Sequence, residues 1–156
     1  MPDSPAPRPL VDGDLGRVAA IERAIFPDPW SRTAFAQTLA RPTVRGFALD
    51  DRSGRLIGYG ICSLAADEGE ILNLAVDPAA RRQGAGRQLL TAMLDWLASQ
   101  GAREAFLEVR ASNAPAIALY AASGFRRLGS RKGYYTGPRE DALTMVLEVG
   151  SGHALE

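Results

Sequence analysis

The chain has 156 residues, 46% of them hydrophobic and 23% charged, with 18 Lys and Arg balanced by 18 Asp and Glu. This length suits one domain around one core, and the balance excludes a disordered chain and the surplus of positive charge that marks a nucleic-acid binder. No run approaches the ~20 apolar residues of a membrane helix, and the first residues lack an apolar signal segment. The single cysteine, Cys62, excludes an internal disulfide and a cysteine-rich metal site. A cytoplasmic protein with no metal and no membrane or direct nucleic-acid partner is expected.

Residues 1–9 hold four prolines and read as a flexible N-terminal segment leading to a short edge strand near Leu10. From Asp12 or Asp14, either a helix N-cap, Leu15, Val18, Ala19, Ile21 and Ile25 form the apolar stripe of a helix that Pro27 and Pro29 end. Ser31 caps a second helix, with Phe35 and Leu39 on one side and Pro42 beyond its end. Val44–Leu49 and Leu56–Leu64 form a hairpin about a turn-rich Asp50–Gly54, although Gly58 and Gly60 weaken the second strand's propensity. A third strand, Glu70–Val76, is broken by Asp77-Pro78. Between Gly84 and Gly101 the positions of Leu89, Leu90, Met93, Leu94 and Leu97 give the clearest helical period. A short strand at Phe106–Val109, a helix from Asn113 to Ser123, and strands near Arg126–Arg131 and Ala142–Leu147 follow. Residues 150–156 read as a frayed polar tail, so 10–149 is the expected single domain. This order describes an α/β (α+β) chain with seven strands in a mixed sheet and four helices packed on it.

Two constellations could carry chemistry. Arg81-Arg82-Gln83-Gly84-Ala85-Gly86-Arg87 stands between a strand and the start of a long helix. Glycines there let the backbone approach a ligand, helix N–H groups offer donors to an anion, and the arginines could bind phosphates. A glycine-rich turn with solvated arginines has the same letters. The spacing matches neither G-x-G-x-x-G nor a P-loop, so any phosphate-bearing ligand is of another kind. The second constellation is Leu107-Glu108-Val109-Arg110-Ala111-Ser112-Asn113 with Tyr120. A carboxylate among apolar strand neighbours suits a general base, and equally a strand glutamate paired with Arg110. Asn113 and Tyr120 stand about two helical turns apart on one face, where a common ligand could touch both. Asn113 is otherwise the helix N-cap, and Tyr120 a core aromatic.

Together, Asn73-Leu74-Ala75-Val76-Asp77-Pro78, the Arg-x-x-Gly-x-Gly run of Arg81–Gly86, and Ala116-Ile117-Ala118-Leu119-Tyr120 through Gly124-Phe125 resemble the GNAT superfamily of N-acetyltransferases over nearly the whole chain. Leu107–Asn113, Gly133-Tyr134-Tyr135 and Gly137–Ala142 are most similar to its branch that acetylates ribosomal-protein N-termini. The resemblance implies the GNAT fold, a mixed and mostly antiparallel sheet, with acetyl-CoA as co-substrate. It implies that the backbone of Leu74, Ala75 and Val76 pairs with the pantetheine arm and that Arg82, Gln83, Gly84, Ala85, Gly86 and Arg87 hold the pyrophosphate. Asn113 would hydrogen-bond the coenzyme, Glu108 would be the base and Tyr120 the acid, and Trp30 and Tyr134 would lie at the peptide entrance. The implied acceptor is a protein N-terminus, the alanine of ribosomal small-subunit protein eighteen, and the implied state a monomer or weak oligomer. At Phe26-Pro27-Asp28-Pro29-Trp30-Ser31 the chain departs from the branch's shorter Phe-Pro-Trp-Ser, in a region that touches the acceptor.

Direct transfer is the expected mechanism, with Glu108 taking a proton from the acceptor ammonium. An α-amine has a reference pKa of about 8 against about 10.4 for lysine, so freeing it near neutral pH costs less by roughly 3 kcal/mol. An acyl-Cys62 route lacks a neighbouring histidine, the only one being His153 in the tail. Competing readings are acetylation of a small amine or polyamine and a non-catalytic acyl-CoA sensor.

Overall fold

Residues 5–149 are described by a computed structural model of the chain. The expected frayed tail at 150–156, with His153, lies outside them, as does the start of the N-terminal segment. The expected edge strand falls at Arg8–Pro9 (β1), just before Leu10, where Arg8 bonds the carboxylates of Asp14 and Asp50. A 3-10 turn at Asp12–Asp14 then leads into helix α1, Leu15–Ile25. Asp14 serves that turn by accepting from Val11 N at 2.8 Å and does not cap α1 with its side chain.

Helix α2 spans Arg32–Leu39, and its N-cap Ser31 accepts from Ala34 N at 3.0 Å. Losing this cap by Ser31→Ala is expected to cost about 1 kcal/mol, seen as a lowered urea midpoint with an unchanged slope. Strands β2 (Val44–Asp50), β3 (Leu56–Ala65) and β4 (Glu68–Val76) follow, then α3 (Ala85–Ser99), β5 (Glu104–Arg110), α4 (Ala114–Ala122), β6 (Arg126–Thr136) and β7 (Arg139–Glu148). The seven strands form one sheet in the order β1-β2-β3-β4-β5-β7-β6. Only the β4–β5 neighbours are parallel, because α3 carries the chain back across the sheet between them.

Each sheet face is covered. Leu89, Leu90, Met93, Leu94 and Leu97 of α3 pack with Ile71, Leu107 and Tyr120 on one face, while Val18 and Ile21 of α1 join Phe35, Tyr59 and Ile61 on the other. The strand glycines have a packing purpose that propensity hides. A Cβ on Gly60 would meet Met93 Cε at 2.6 Å, so this bare position is the socket into which α3 fits. β6 and β7 run longer than their apolar residues suggest, past irregular pairing between Arg131 and Tyr135 to the turn at Gly137-Pro138. Among the described residues no helix is long and apolar enough to cross a membrane.

Candidate active site

A failure of strand pairing opens the site. β4 pairs with β5 from Glu68–Ile71 to Glu104–Leu107, and then the two strands part. On the other side of β4, Ile71 faces Cys62 and Asn73 faces Ile61, so Leu72 is an extra residue, a bulge that bends the strand. Beyond it the edge of Leu72–Val76 that faces β5 has no strand partner. Backbone donors and acceptors there are available to something other than protein.

A cleft of about 570 Å³ continues from that edge, lined by Leu74, Ala75 and Val76, by Arg81, Arg82, Gly84, Ala85, Gly86 and Arg87, and by Asn113 and Tyr120. Arg82 (φ 69°) and Gly84 (φ 79°) both take left-handed backbone conformations, which curl the loop onto the start of α3. No side chain caps that helix, and its first internal bond is Gln88 N to Gly84 O at 3.0 Å. The N–H groups of Ala85, Gly86 and Arg87 therefore have no intrahelical acceptor, and the helix dipole adds partial positive charge. Three exposed arginines surround these donors, a donor set that fits a pyrophosphate. Gln83 is the exception, lining a separate hollow beside Leu49, Asp50 and Arg52.

A smaller cavity of about 150 Å³ adjoins the split and is lined by Glu22, Asp28, Trp30, Asn73, Glu108, Arg110, Asn113, Tyr120 and Tyr135. On β5, Ala105, Leu107 and Val109 enter the core, so Glu108 lies on the opposite face, one residue past the last β4 pairing. Its Oε2 is buried without a hydrogen bond. Arg131 Nε stands 2.7 Å from that oxygen but off the line of its N–H, so it supplies charge and no directed bond. Arg110 is not the partner of Glu108. It turns instead to Asp28 at 3.0 Å and Glu140 at 3.2 Å, donates to the carbonyls of Gly137 and Pro138, and stacks 4.3 Å from the centre of the Tyr135 ring. This clasp joins the α1–α2 loop to the β6–β7 turn at the mouth of the cavity.

Tyr120 is 7% exposed and lies between the two cavities, its ring edge-on to Phe125 at 5.8 Å. Burial, then the neighbouring Tyr135, push its phenol far above the ordinary value. Its hydroxyl bonds no described residue and is not sealed from the cavity. Asn113 caps α4 through Oδ1, which accepts from Ala116 N at 3.3 Å, and also lines both cavities. Trp30 lines the smaller cavity; Tyr134, 46% exposed, does not, although the Glu108 carboxylate beside it pushes its phenol above the usual range. Sequence reasoning missed Glu22, Asn73, Asp28, Tyr135 and Glu140. A signal existed for the first of these, since Glu22 follows Val18 by one turn and falls on the apolar stripe of α1.

Cys62 is fully buried on the α3 side of β3 and lines neither cavity. Burial pushes its thiol up to about 12, which leaves no thiolate for an acyl-cysteine route. Burial likewise pushes Tyr135 up to about 12 and Tyr59 and Tyr120 further. An unfolded chain ionises these groups first, from about 8.5 for Cys and about 10 for Tyr, so the stability they lend is whole below those values and is lost as pH rises toward the folded ones. The urea midpoint is therefore expected to fall between about pH 8 and about pH 10.5; a flat midpoint would show these groups to be solvated. Among the described residues no cluster of three His, Cys, Asp or Glu could hold a metal.

Comparison with known proteins agrees with this geometry. The acetyltransferase (GNAT) family model matches residues 15–125. A [ribosomal protein bS18]-alanine N-acetyltransferase of Escherichia coli K12 is 40% identical over 138 residues, covering 87% of this chain and 92% of its own. The N-alpha-acetyltransferase RimI of Mycobacterium tuberculosis is 40% identical over 148 residues, 90% of each. The crystal structure of the ribosomal-protein-S18-alanine N-acetyltransferase from Escherichia coli superposes with a TM-score of 0.85 at 38% identity, covering 94% of both chains. This chain belongs to the GNAT acetyltransferase family and is an acetyl-CoA-dependent N-acetyltransferase.

Proposed function

We propose that the protein acetylates the α-amine of a protein N-terminus, the N-terminal alanine of ribosomal protein bS18, with Glu108 as general base and Tyr120 as general acid. One observation carries the assignment of roles: Glu108 and Tyr120 line the same narrow cavity at the point where β4 and β5 part. The acceptor rests on a relative named for bS18-alanine acetylation that matches 87% of this chain.

Acetyl-CoA supplies the acyl group as an activated thioester. The unpaired edge of Leu74, Ala75 and Val76 offers backbone bonds to its pantetheine arm, and the curled Arg82–Arg87 loop holds its pyrophosphate, with Gln83 contributing backbone only. Asn113 Nδ2, which has no partner among the described residues, is a donor for the coenzyme between them. Glu108 accepts the proton that the acceptor ammonium must lose, directly or through one water. Arg131 is 62% exposed and can swing aside without stranding a buried charge, so the ammonium can take its place beside the carboxylate. Tyr120 keeps its hydroxyl proton for the departing sulfur. Trp30 and the Arg110 clasp wall the acceptor's approach, and Tyr134 stands at its outer rim.

The test is thiol release with a lysine-containing peptide that begins with free alanine, beside the same peptide blocked at its N-terminus. Turnover of the free peptide alone is expected. Equal turnover of both would reassign the enzyme to lysine side chains. Silence on both, with turnover of spermidine or another small amine, would reassign it to small molecules.

A further inference from the structure

Among the described residues the mechanism above leaves one buried carboxylate unused. Glu22 of α1 is 2% exposed, yet it lines the acceptor cavity. Its Oε1 accepts from the Tyr59 hydroxyl at 2.5 Å and from Asn73 Nδ2 at 3.0 Å, and its Oε2 accepts from the Trp30 backbone N–H at 3.1 Å. One carboxylate thus fastens α1, β3, the bulged stretch of β4 and the α1–α2 loop. A hydrophobic residue of similar size would leave the Tyr59 hydroxyl, the Asn73 amide and the Trp30 N–H without this acceptor, so the carboxylate fixes the orientation of what it binds.

What it orients is the amide of Asn73. With Nδ2 committed to Glu22, the amide cannot turn over without setting its carbonyl against the carboxylate. Asn73 Oδ1 has no partner among the described residues and is not sealed from solvent, and the residue lines the acceptor cavity. The bulge at Leu72 and the loss of β5 leave Asn73 beside the strand split.

We propose that Glu22 is a positioning residue that holds Asn73 with its carbonyl toward the acceptor, so that Asn73 Oδ1 accepts the first peptide N–H and selects peptide α-amines. This rests on the reading of the protein as an N-terminal acetyltransferase. In a peptide only the α-carbon and the carbonyl carbon separate that N–H from the reacting nitrogen. A lysine side chain has methylenes in those places and offers no donor there. An amide that could flip would present a donor to a donor, and the selection would vanish.

The test compares an alanine-initiated peptide with its depsipeptide, in which an ester oxygen replaces the first peptide N–H, using acetyl-CoA and the full chain. Wild type is expected to lose about tenfold in kcat/KM on the ester, the size of one uncharged hydrogen bond. Glu22→Gln and Asn73→Ala are each expected to lose about tenfold on the amide peptide, mainly through KM, and to show an amide-to-ester ratio near one. Their KM for acetyl-CoA should match wild type. A structural role alone for Glu22 would lower the rate on both acceptors and keep the wild-type ratio, which overturns the proposal. So does a wild-type enzyme that uses the two acceptors equally. If Glu22→Gln does not fold, the Asn73→Ala ratio decides. A wild type that turns over neither acceptor overturns the N-terminal reading itself, an outcome distinct from the others.

Discussion

Glu108→Gln is expected to lower kcat by about 10²–10⁴ while leaving the KM for acetyl-CoA unchanged, the loss typical of removing a positioned general base. The glutamine keeps the shape of the side chain but cannot accept the ammonium proton. Little else should change. The pyrophosphate loop and Ala75–Val76 line the other cavity, which Glu108 does not, and Leu74 alone of the Leu74–Val76 edge lines both. Arg131 loses its partner, but at 62% exposure it passes to water at small cost, so the thermal midpoint should stay within about 2 °C of wild type. Steady-state kinetics on the alanine-initiated peptide, with a melting curve of the same preparation, makes the measurement. A variant with wild-type kcat would return Glu108 to the standing of an ion-paired strand glutamate.

Much of the fold was legible because its signals are local. The five apolar positions of α3, Ser31 before α2, Asn113 before α4 and Asp77-Pro78 after β4 act within one or two turns of chain, and each element appears where its signal stands. Strand ends were less legible. Leucines and valines mark the buried middle of a strand, whereas β6 continues past the unpaired Lys132-Gly133-Tyr134 because Tyr135 and Thr136 pair again with Glu140 and Arg139 of β7, and pairing carries no mark in either strand alone. Gly58 and Gly60 misled for the same reason: a glycine weakens a strand in isolation, but here Met93 and Leu89 occupy the space a side chain would take.

The site divides along the same line. The phosphate-binding loop is contiguous, so its residues could be read together, and all but Gln83 meet at one cleft. The acceptor side is assembled from α1, β4, β5 and the β6–β7 turn, and its contacts join residues 51, 30 and 82 positions apart. Glu22 reaches Asn73, Arg110 reaches Glu140, and Arg110 reaches Asp28. The pairing of Glu108 with Arg110 was the natural local guess for neighbours on one strand face, and it fails because two carboxylates, two carbonyls and a tyrosine ring from elsewhere compete for the same guanidinium.

Tyr120→Phe is expected to reduce kcat by about 10²-fold with the fold intact. The ring supplies the packing, edge-on to Phe125, and phenylalanine keeps it. The hydroxyl bonds no described residue, so its removal strands no buried donor or acceptor. The pH profile separates an acid from a mere wall of the cavity. Because burial raises the phenol above its ordinary value of about 10, the proton is present throughout the neutral and mildly alkaline range, and deprotonation of Tyr120 should cost the wild type nothing below about pH 10. The deficit of the phenylalanine variant should accordingly be constant from about pH 7 to about pH 9.5, as it must be when the wild type holds one protonation state throughout. A deficit that closes as pH rises across that range would mean that the phenol ionises there and that its burial does not protect it. A variant with full kcat and a raised KM for acetyl-CoA would make Tyr120 a binding surface, leaving the departing sulfur to be protonated by water.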